Sequence, residues 1–220
     1  MNTLRSLVVL FALVFAGPAL ADYELYFGTG IGRSDSGSDP AALQSTLARQ
    51  GYDITAATVD AEDGGGRILV GLQFTDTWAV ELGFVDLGKV RAEVAGVVPS
   101  SQVAQFTQDV ADALPVMPRG LTLAAVARKT MTEMGWEPGG ITDNLSFALK
   151  LGLIDSDAKR SVSGVSGHNE VNADPYYGLN VGIDFSDNWR GIIGYEIFNL
   201  ADSTEYWSLG LEVRFANKGK

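Results

Sequence analysis

The chain has 220 residues, a formal net charge of −11, mean hydropathy close to zero and no cysteine. Its acidity excludes a nucleic-acid binder, which needs a basic footprint, and the lack of cysteine excludes disulfides and thiolate metal sites. After the N-terminus no run is long and apolar enough for a membrane helix, so a helical membrane protein is excluded too.

The N-terminus reads as an export signal. Arg5 precedes an unbroken apolar run from Leu7 to Phe15, and Pro18-Ala19-Leu20-Ala21 sets small residues two positions apart before Asp22. This layout predicts cleavage after Ala21. An uncleaved anchor helix fits less well, since spanning a bilayer takes about 20 apolar residues. Loss of residues 1–21 removes one arginine and no acid, which leaves a mature charge of −12.

From Tyr23 onward, apolar residues fall on every second position. In residues 23–32 the odd positions are mostly large and apolar, and the even ones are Gly or polar apart from Tyr26. A long connection follows, residues 33–66. In it Asp39-Pro40 offers an N-cap with proline at the first helical position. Residues 40–50 therefore read as a helix closed by Gly51. Asp60, Glu62 and Asp63 beside three glycines suggest at most a weak hold on a divalent cation, and read better as a solvated loop tip.

Alternation returns with Ile68, Val70, Leu72 and Phe74. It resumes after a tight polar link, Thr75-Asp76-Thr77, with Trp78, Val80, Leu82 and Phe84. Residues 89–119 form the next long connection. There Ser100 or Ser101 is a candidate cap for a helix over 101–114 with Val103, Phe106, Val110 and Leu114 on one side. Leu121 to Arg128 is a feebler, Ala-rich strand candidate. The stretch from 130 to 144 is too long for a tight turn and has no explanation in the pattern.

Leu145, Phe147, Leu149, Leu151 and Leu153 alternate next, followed by a long connection over 155–174. Ser166, His168 and Glu170 lie in that loop, but its polar, Gly-rich context offers nothing to hold a reactive geometry. No catalytic, metal or cofactor-binding residue is assigned. Gly28-Thr29-Gly30-Ile31-Gly32 sits inside a strand and opens no helix, so it is no dinucleotide fingerprint. Tyr177 to Phe185 alternates, then the tight link Ser186-Asp187-Asn188, then Trp189 to Ile197. After a brief connection, residues 199–205, Trp207 to Phe215 closes the series.

Period two places one apolar face and one other face on each strand. The segments approach the 9–11 residues of a tilted membrane strand. Short turns alternate with long loops. The less apolar face is Gly plus charge, a poor soluble core. The fold class predicted is all-β: an eight-stranded antiparallel up-and-down transmembrane β-barrel with short helices in long extracellular loops. Its expected segments are a signal peptide 1–21, a barrel 22–215 and a short tail 216–220. Tyr23, Phe74, Trp78, Trp189, Tyr206, Trp207 and Phe215 are predicted to form an aromatic girdle.

Pointing the apolar face at lipid puts charges inside. The acids are Glu24, Glu81, Asp184, Glu196 and Glu212, and the bases are Arg67, Arg128, Lys150, Arg190 and Arg214. The two sets balance, so the acid excess belongs to loops and turns. An interior network of ion pairs is expected, plugging the lumen or gating a small pore, because an eight-stranded barrel is just wide enough to be filled by side chains.

Residues 71–88, from Gly71-Leu72-Gln73-Phe74 through Trp78-Ala79-Val80-Glu81 to Asp86-Leu87-Gly88, resemble the second hairpin of OmpA-like eight-stranded outer-membrane proteins. Tyr177-Gly178-Leu179-Asn180-Val181-Gly182 with Phe185-Ser186-Asp187-Asn188-Trp189 is similar to their sixth strand and third turn. Ser208 to Phe215 is similar to their closing strand. The resemblance is weakest over residues 90–140. It implies residence in the cell outer membrane among lipid and lipopolysaccharide. It also implies transient engagement of the barrel-assembly machinery by the aromatic-ended last strand, although Ala216 to Lys220 follow Phe215. A monomer is expected. The alternative role is a surface binding or adhesion module acting through the long loops, with a lipid-modifying enzyme behind both.

Overall fold

The computed structural model describes residues 23–216 except 38, 116, 138, 157–158, 163–164, 169–172 and 201–202. The predicted signal and residues 217–220 lie outside the described residues. Two helices and twelve strands follow in chain order: β1 (Glu24–Asp35), α1 (Pro40–Arg49), β2 (Asp53–Asp60), β3 (Glu62–Gln73), β4 (Trp78–Asp86), β5 (Arg91–Val97), α2 (Val103–Ala113), β6 (Arg119–Thr130), β7 (Leu145–Ser156), β8 (Lys159–Val162), β9 (Val165–His168), β10 (Ala173–Asp184), β11 (Trp189–Asn199) and β12 (Ser203–Ala216).

Eight of these strands close into a barrel in the order β1, β12, β11, β10, β7, β6, β4, β3, every pair antiparallel. Closure comes from β1, which pairs with β3 on one side (Phe27 opposite Val70) and β12 on the other (Phe27 opposite Val213). The Ala-rich 121–128 segment is a full barrel strand, β6. The strands overrun their apolar segments at the long-loop end, so the connections are shorter than the sequence suggests: β1 extends to Asp35 and β3 begins at Glu62.

The exterior is apolar. Phe27, Ile31, Ile68, Leu149, Leu179 and Leu209 are exposed, and Leu151 is 70% exposed. Leaving one such side chain in water forfeits about 1.5–3 kcal/mol. A contiguous band of them far exceeds the patches soluble monomers tolerate, and acyl chains are the solvent that suits it. One outward position departs from this. Leu72 is 1% exposed; it keeps the strand parity of Ile68, and its cross-strand partners Leu25 and Val80 share that face.

Aromatics ring the short-turn end: Phe74, Trp78, Phe185, Trp189 and Phe215 are exposed, Tyr23 is half-buried, and Phe215 packs edge-on to Phe27 at 5.9 Å. Trp207 belongs to a second level, its ring tilted against that of Tyr195 with centroids 4.4 Å apart. Tyr206 does not belong to the girdle. It is 0% exposed within the barrel, because it shares parity with Ser208 and Glu212 and so points opposite to its neighbour Trp207.

The long loops build a cap. β2 and β5 pair as a two-stranded sheet, from Asp53 opposite Val97 to Asp60 opposite Arg91. α1 and α2 bury Leu43, Leu47, Val110 and Leu114 against one another and against Ile54, Val59 and Val94 of that sheet. α1 starts as its sequence implies, with the Asp39 carboxylate accepting from Ala41 N–H at 2.8 Å. For α2 the structure differs: a 3-10 turn over Ser100–Gln102 leads into it, and neither serine caps it. Val103 is exposed, while Phe106, Val110 and Leu114 face the cap core. β8 and β9 form a hairpin across 159–168. His168 ends β9; its side chain, that of Ser166, and Glu170 lie outside the described residues.

Candidate functional site

The barrel wall sends every even-numbered residue of β1 and every odd- or even-numbered counterpart fixed by register into the lumen, where ten charged side chains meet. They fall into two neutral clusters. In the first, Lys150 Nζ donates to Glu81 Oε2 at 2.5 Å and lies 3.7 Å from Glu196 Oε1. Arg67 pairs with Glu196 and lies 3.9 Å from Glu81. The Asn180 amide completes the group: turned so that its hydrogen bonds are satisfied, its oxygen accepts from Lys150 Nζ at 3.2 Å. Two bases thus face two acids.

The second cluster holds three of each. Arg128 donates to both Glu212 oxygens at 3.0 and 3.1 Å. Arg190 lies 3.8 Å from Glu212 and makes a bidentate contact with Asp184 at 2.6 and 3.1 Å. Arg214 pairs with Asp184 at 3.1 Å and approaches Glu24 at 3.9 Å. Arginine suits this chain of carboxylates because its planar fork engages two oxygens at once.

Tyr26 joins the clusters. Its hydroxyl donates to Glu81 at 2.9 Å, and its ring lies under the Arg128 guanidinium at 5.1 Å. Gly71 makes the room: a Cβ there would fall 2.0 Å from Tyr26 Cζ. A gap of about 20 Å³ remains beside Arg67, Lys150, Asn180 and Glu212. That is space for one water molecule, not for a hydrated ion.

Toward the long-loop end the lumen is apolar, which the sequence reading of Gly plus charge missed. Val85, Leu87, Met117, Ile154, Tyr176 and Phe198 are buried together with Tyr206. Tyr176 stacks on Phe198 at 4.9 Å. Val90 packs against both this plug and the cap core. The signal was available: apart from Met117, which precedes β6, these residues have inward parity and large apolar side chains, but most sit at strand ends where loops were assumed to begin.

At the rim, the acidic loop tip is occupied by its own chain. Asp63 accepts from Gly64 N–H at 2.8 Å and Lys89 N–H at 2.9 Å, Glu62 pairs with Arg33, and Arg119 lies 3.2 Å from Asp86. In the cap, the Tyr52 hydroxyl donates to Asp109 at 2.5 Å, and its ring meets Phe106 edge-on at 4.9 Å. That hydrogen bond raises the Tyr52 phenol above the ordinary tyrosine range. A cleft of about 260 Å³ opens between α1 and the chain after α2, lined by Asp39, Leu43, Thr46, Val59 and Leu114.

A closed antiparallel sheet, apolar outside and charge-neutral inside, defines a transmembrane β-barrel of eight strands. Among the described residues no helix is long and apolar enough to cross a membrane; the crossing is made by strands. Among solved structures the chain is similar to the Neisserial surface protein A, NspA (12% identity, TM-score 0.44, 88% of this chain and 97% of that one). It is similar also to Ail, the attachment invasion locus protein of Yersinia pestis (17%, 0.44, 88% and 98%). A third similar structure is the N-terminal β-barrel domain of Pseudomonas aeruginosa OprF (14%, 0.44, 87% and 97%). No protein-family model and no curated protein sequence matches the chain. The closure of the barrel is fixed by the pairing of β1 with β3 and β12, independently of these likenesses.

Proposed function

We propose that this chain is an exported protein of the bacterial outer membrane with a structural role, its lumen closed at rest and its long loops facing the cell exterior. The observation that carries this reading is the inverted distribution of chemistry: leucine and phenylalanine on the outside, five acids and five bases paired within. The gap beside Lys150 is too small for solute passage. Passage would require breaking pairs whose loss costs about 3–5 kcal/mol when one partner is left behind. Export through the signal ending at Ala21, and assembly through the β12 strand ending in Phe215, belong to the same proposal.

Membrane fractionation with heat-modifiable gel migration tests it. The mature chain should appear in the outer-membrane fraction and migrate faster unheated than boiled. Recovery as a soluble periplasmic monomer would defeat the reading. A second reading, a surface binding module, is favoured by one observation: the long loops fold into a cap with its own core rather than trailing freely. Deleting residues 39–51 should then abolish surface binding while heat-modifiability persists; binding that survives the deletion removes this role.

A further inference from the structure

The connection between β6 and β7 differs from its counterparts at the same end of the barrel. The other two hairpins there close over residues 74–77 and 185–188, whereas this one spends residues 131–144. It is nevertheless a built structure. The Glu133 carboxylate accepts from Thr130 N–H at 2.7 Å and from the Thr130 hydroxyl at 3.0 Å, and that hydroxyl accepts from Glu133 N–H at 3.2 Å. This is the reciprocal arrangement of a capping box. Gly135 then turns the chain with φ +89°, a conformation side chains disfavour. Farther on, Gly139 N–H donates to Asp143 at 3.1 Å, and the Thr142 hydroxyl donates to the Gly139 carbonyl at 2.8 Å.

What this turn presents is apolar. Met134 is 44% exposed and Trp136 is 60% exposed. The backbone keeps Trp136 at the barrel rim, since its N–H donates to the Met131 carbonyl at 3.2 Å and Met131 N–H in turn donates to Leu145 at 3.0 Å. Leu145 stands opposite Ile183, next to the turn that carries Phe185 and Trp189, so Trp136 is held at the short-turn end of the barrel.

That ring has one vacant sector. At this end β1 contributes Phe27, the β3–β4 hairpin Phe74 and Trp78, β7 Phe147, the β10–β11 hairpin Phe185 and Trp189, and β12 Phe215, all exposed. At this end the outward face of β6 carries only Ala125, Ala127 and Lys129. Indole prefers the headgroup boundary, where one edge is apolar and the N–H is wet. We infer that the 131–144 turn is an interfacial anchor, which sets Trp136, with Met134 beside it, in the headgroup zone of the leaflet at the short-turn end and so completes the belt where β6 has no aromatic.

Depth-dependent fluorescence quenching tests this. The chain has four tryptophans. A variant carrying Trp78→Phe, Trp189→Phe and Trp207→Phe leaves Trp136 as sole emitter; a second retains only Trp189 as a belt reference. Both are refolded into phosphatidylcholine vesicles brominated either near the headgroup or deep in the acyl chain. The expected result is blue-shifted Trp136 emission, quenched several-fold more by shallow than by deep bromines and sheltered from acrylamide. Water-like emission, indifferent to bromine and quenched by acrylamide, while Trp189 is quenched by lipid, would overturn the anchor and leave the membrane-spanning barrel intact. Shielding of Trp136 only on addition of a soluble protein fraction would also overturn it, in favour of a protein partner. Should the triple variant not refold, Trp136→Cys carrying a nitroxide in the otherwise cysteine-free chain gives the same depth: oxygen should relax it more than a water-soluble nickel chelate, and the reverse order would overturn the proposal.

Discussion

The two halves of the lumen are closed by opposite chemistry. Toward the short turns, ten charged groups neutralise one another in clusters of two pairs and three. Toward the long loops, Leu87, Met117, Ile154, Tyr176, Phe198 and Tyr206 exclude water. The charged half owes its integrity to completeness, because an ion pair is tolerated in a dry interior only while both partners are present. The apolar half owes its integrity to volume. It follows that the two halves should fail differently when mutated and should be rescued by different second substitutions.

The largest effect is expected from Lys150→Ala, which leaves Glu81 and Glu196 facing each other around one remaining base, Arg67. Unfolding from lipid vesicles by urea should show a loss of about 3–5 kcal/mol. Glu81→Gln with Lys150→Met, which removes charge in balance, should recover most of it. If the single variant is as stable as wild type, the charged half is solvated rather than paired.

In the other half, Phe198→Ala should cost about 3–5 kcal/mol through the cavity left beside Tyr176. Here rescue needs only bulk, so Phe198→Leu should lose much less. A Phe198→Ala variant whose loss is made good by changes of charge, not of volume, would erase the distinction between the halves.

Gly71→Ala probes the junction of the two charged clusters, where Tyr26 touches Glu81 and Arg128. The added methyl would collide with the Tyr26 ring, and overpacking of this kind costs about 1–3 kcal/mol. Pairing it with Tyr26→Ala should relieve the clash yet leave Glu81 without its hydroxyl donor. Because Tyr26→Ala alone should cost about 3–5 kcal/mol through the cavity it leaves, the double variant should lose less than the sum of the two single losses in the same urea assay.

The smallest effect lies in the cap. Because the protonated Tyr52 hydroxyl donates to Asp109, its folded value is raised above the ordinary tyrosine value. The stability it lends is complete below that ordinary value, near 10, and is lost as pH rises through the raised folded value. Tyrosinate absorbance, wild type minus Tyr52→Phe, should accordingly appear later than for an exposed phenol; appearance in the ordinary range would mean the cap does not hold this contact.

The wall of the barrel was legible from residues because period two is written in large side chains such as Leu149, Leu151 and Leu153. Even β6 showed through, though Ala125 and Ala127 blur the contrast, since its neighbours β4 and β7 fix its place. Asp39 and Pro40 announced α1 through capping chemistry. Tyr206 was misplaced because an aromatic beside Trp207 reads as girdle by proximity, while strand parity assigns the two to opposite faces. The apolar plug escaped notice since Phe198 and Tyr176 lie where strands fray into loops. The pairing of β2 with β5 joins segments from two separate loops, and no local pattern carries that information.

Planar-bilayer recording of the purified, heat-modifiable chain tests the closed lumen most directly. The bilayer should stay electrically quiet, with conductance steps emerging only when Glu81→Ala or Arg67→Ala in the first cluster is combined with Phe198→Ala in the apolar plug that lies in series with it. Sustained ohmic conductance from the wild-type barrel would contradict it.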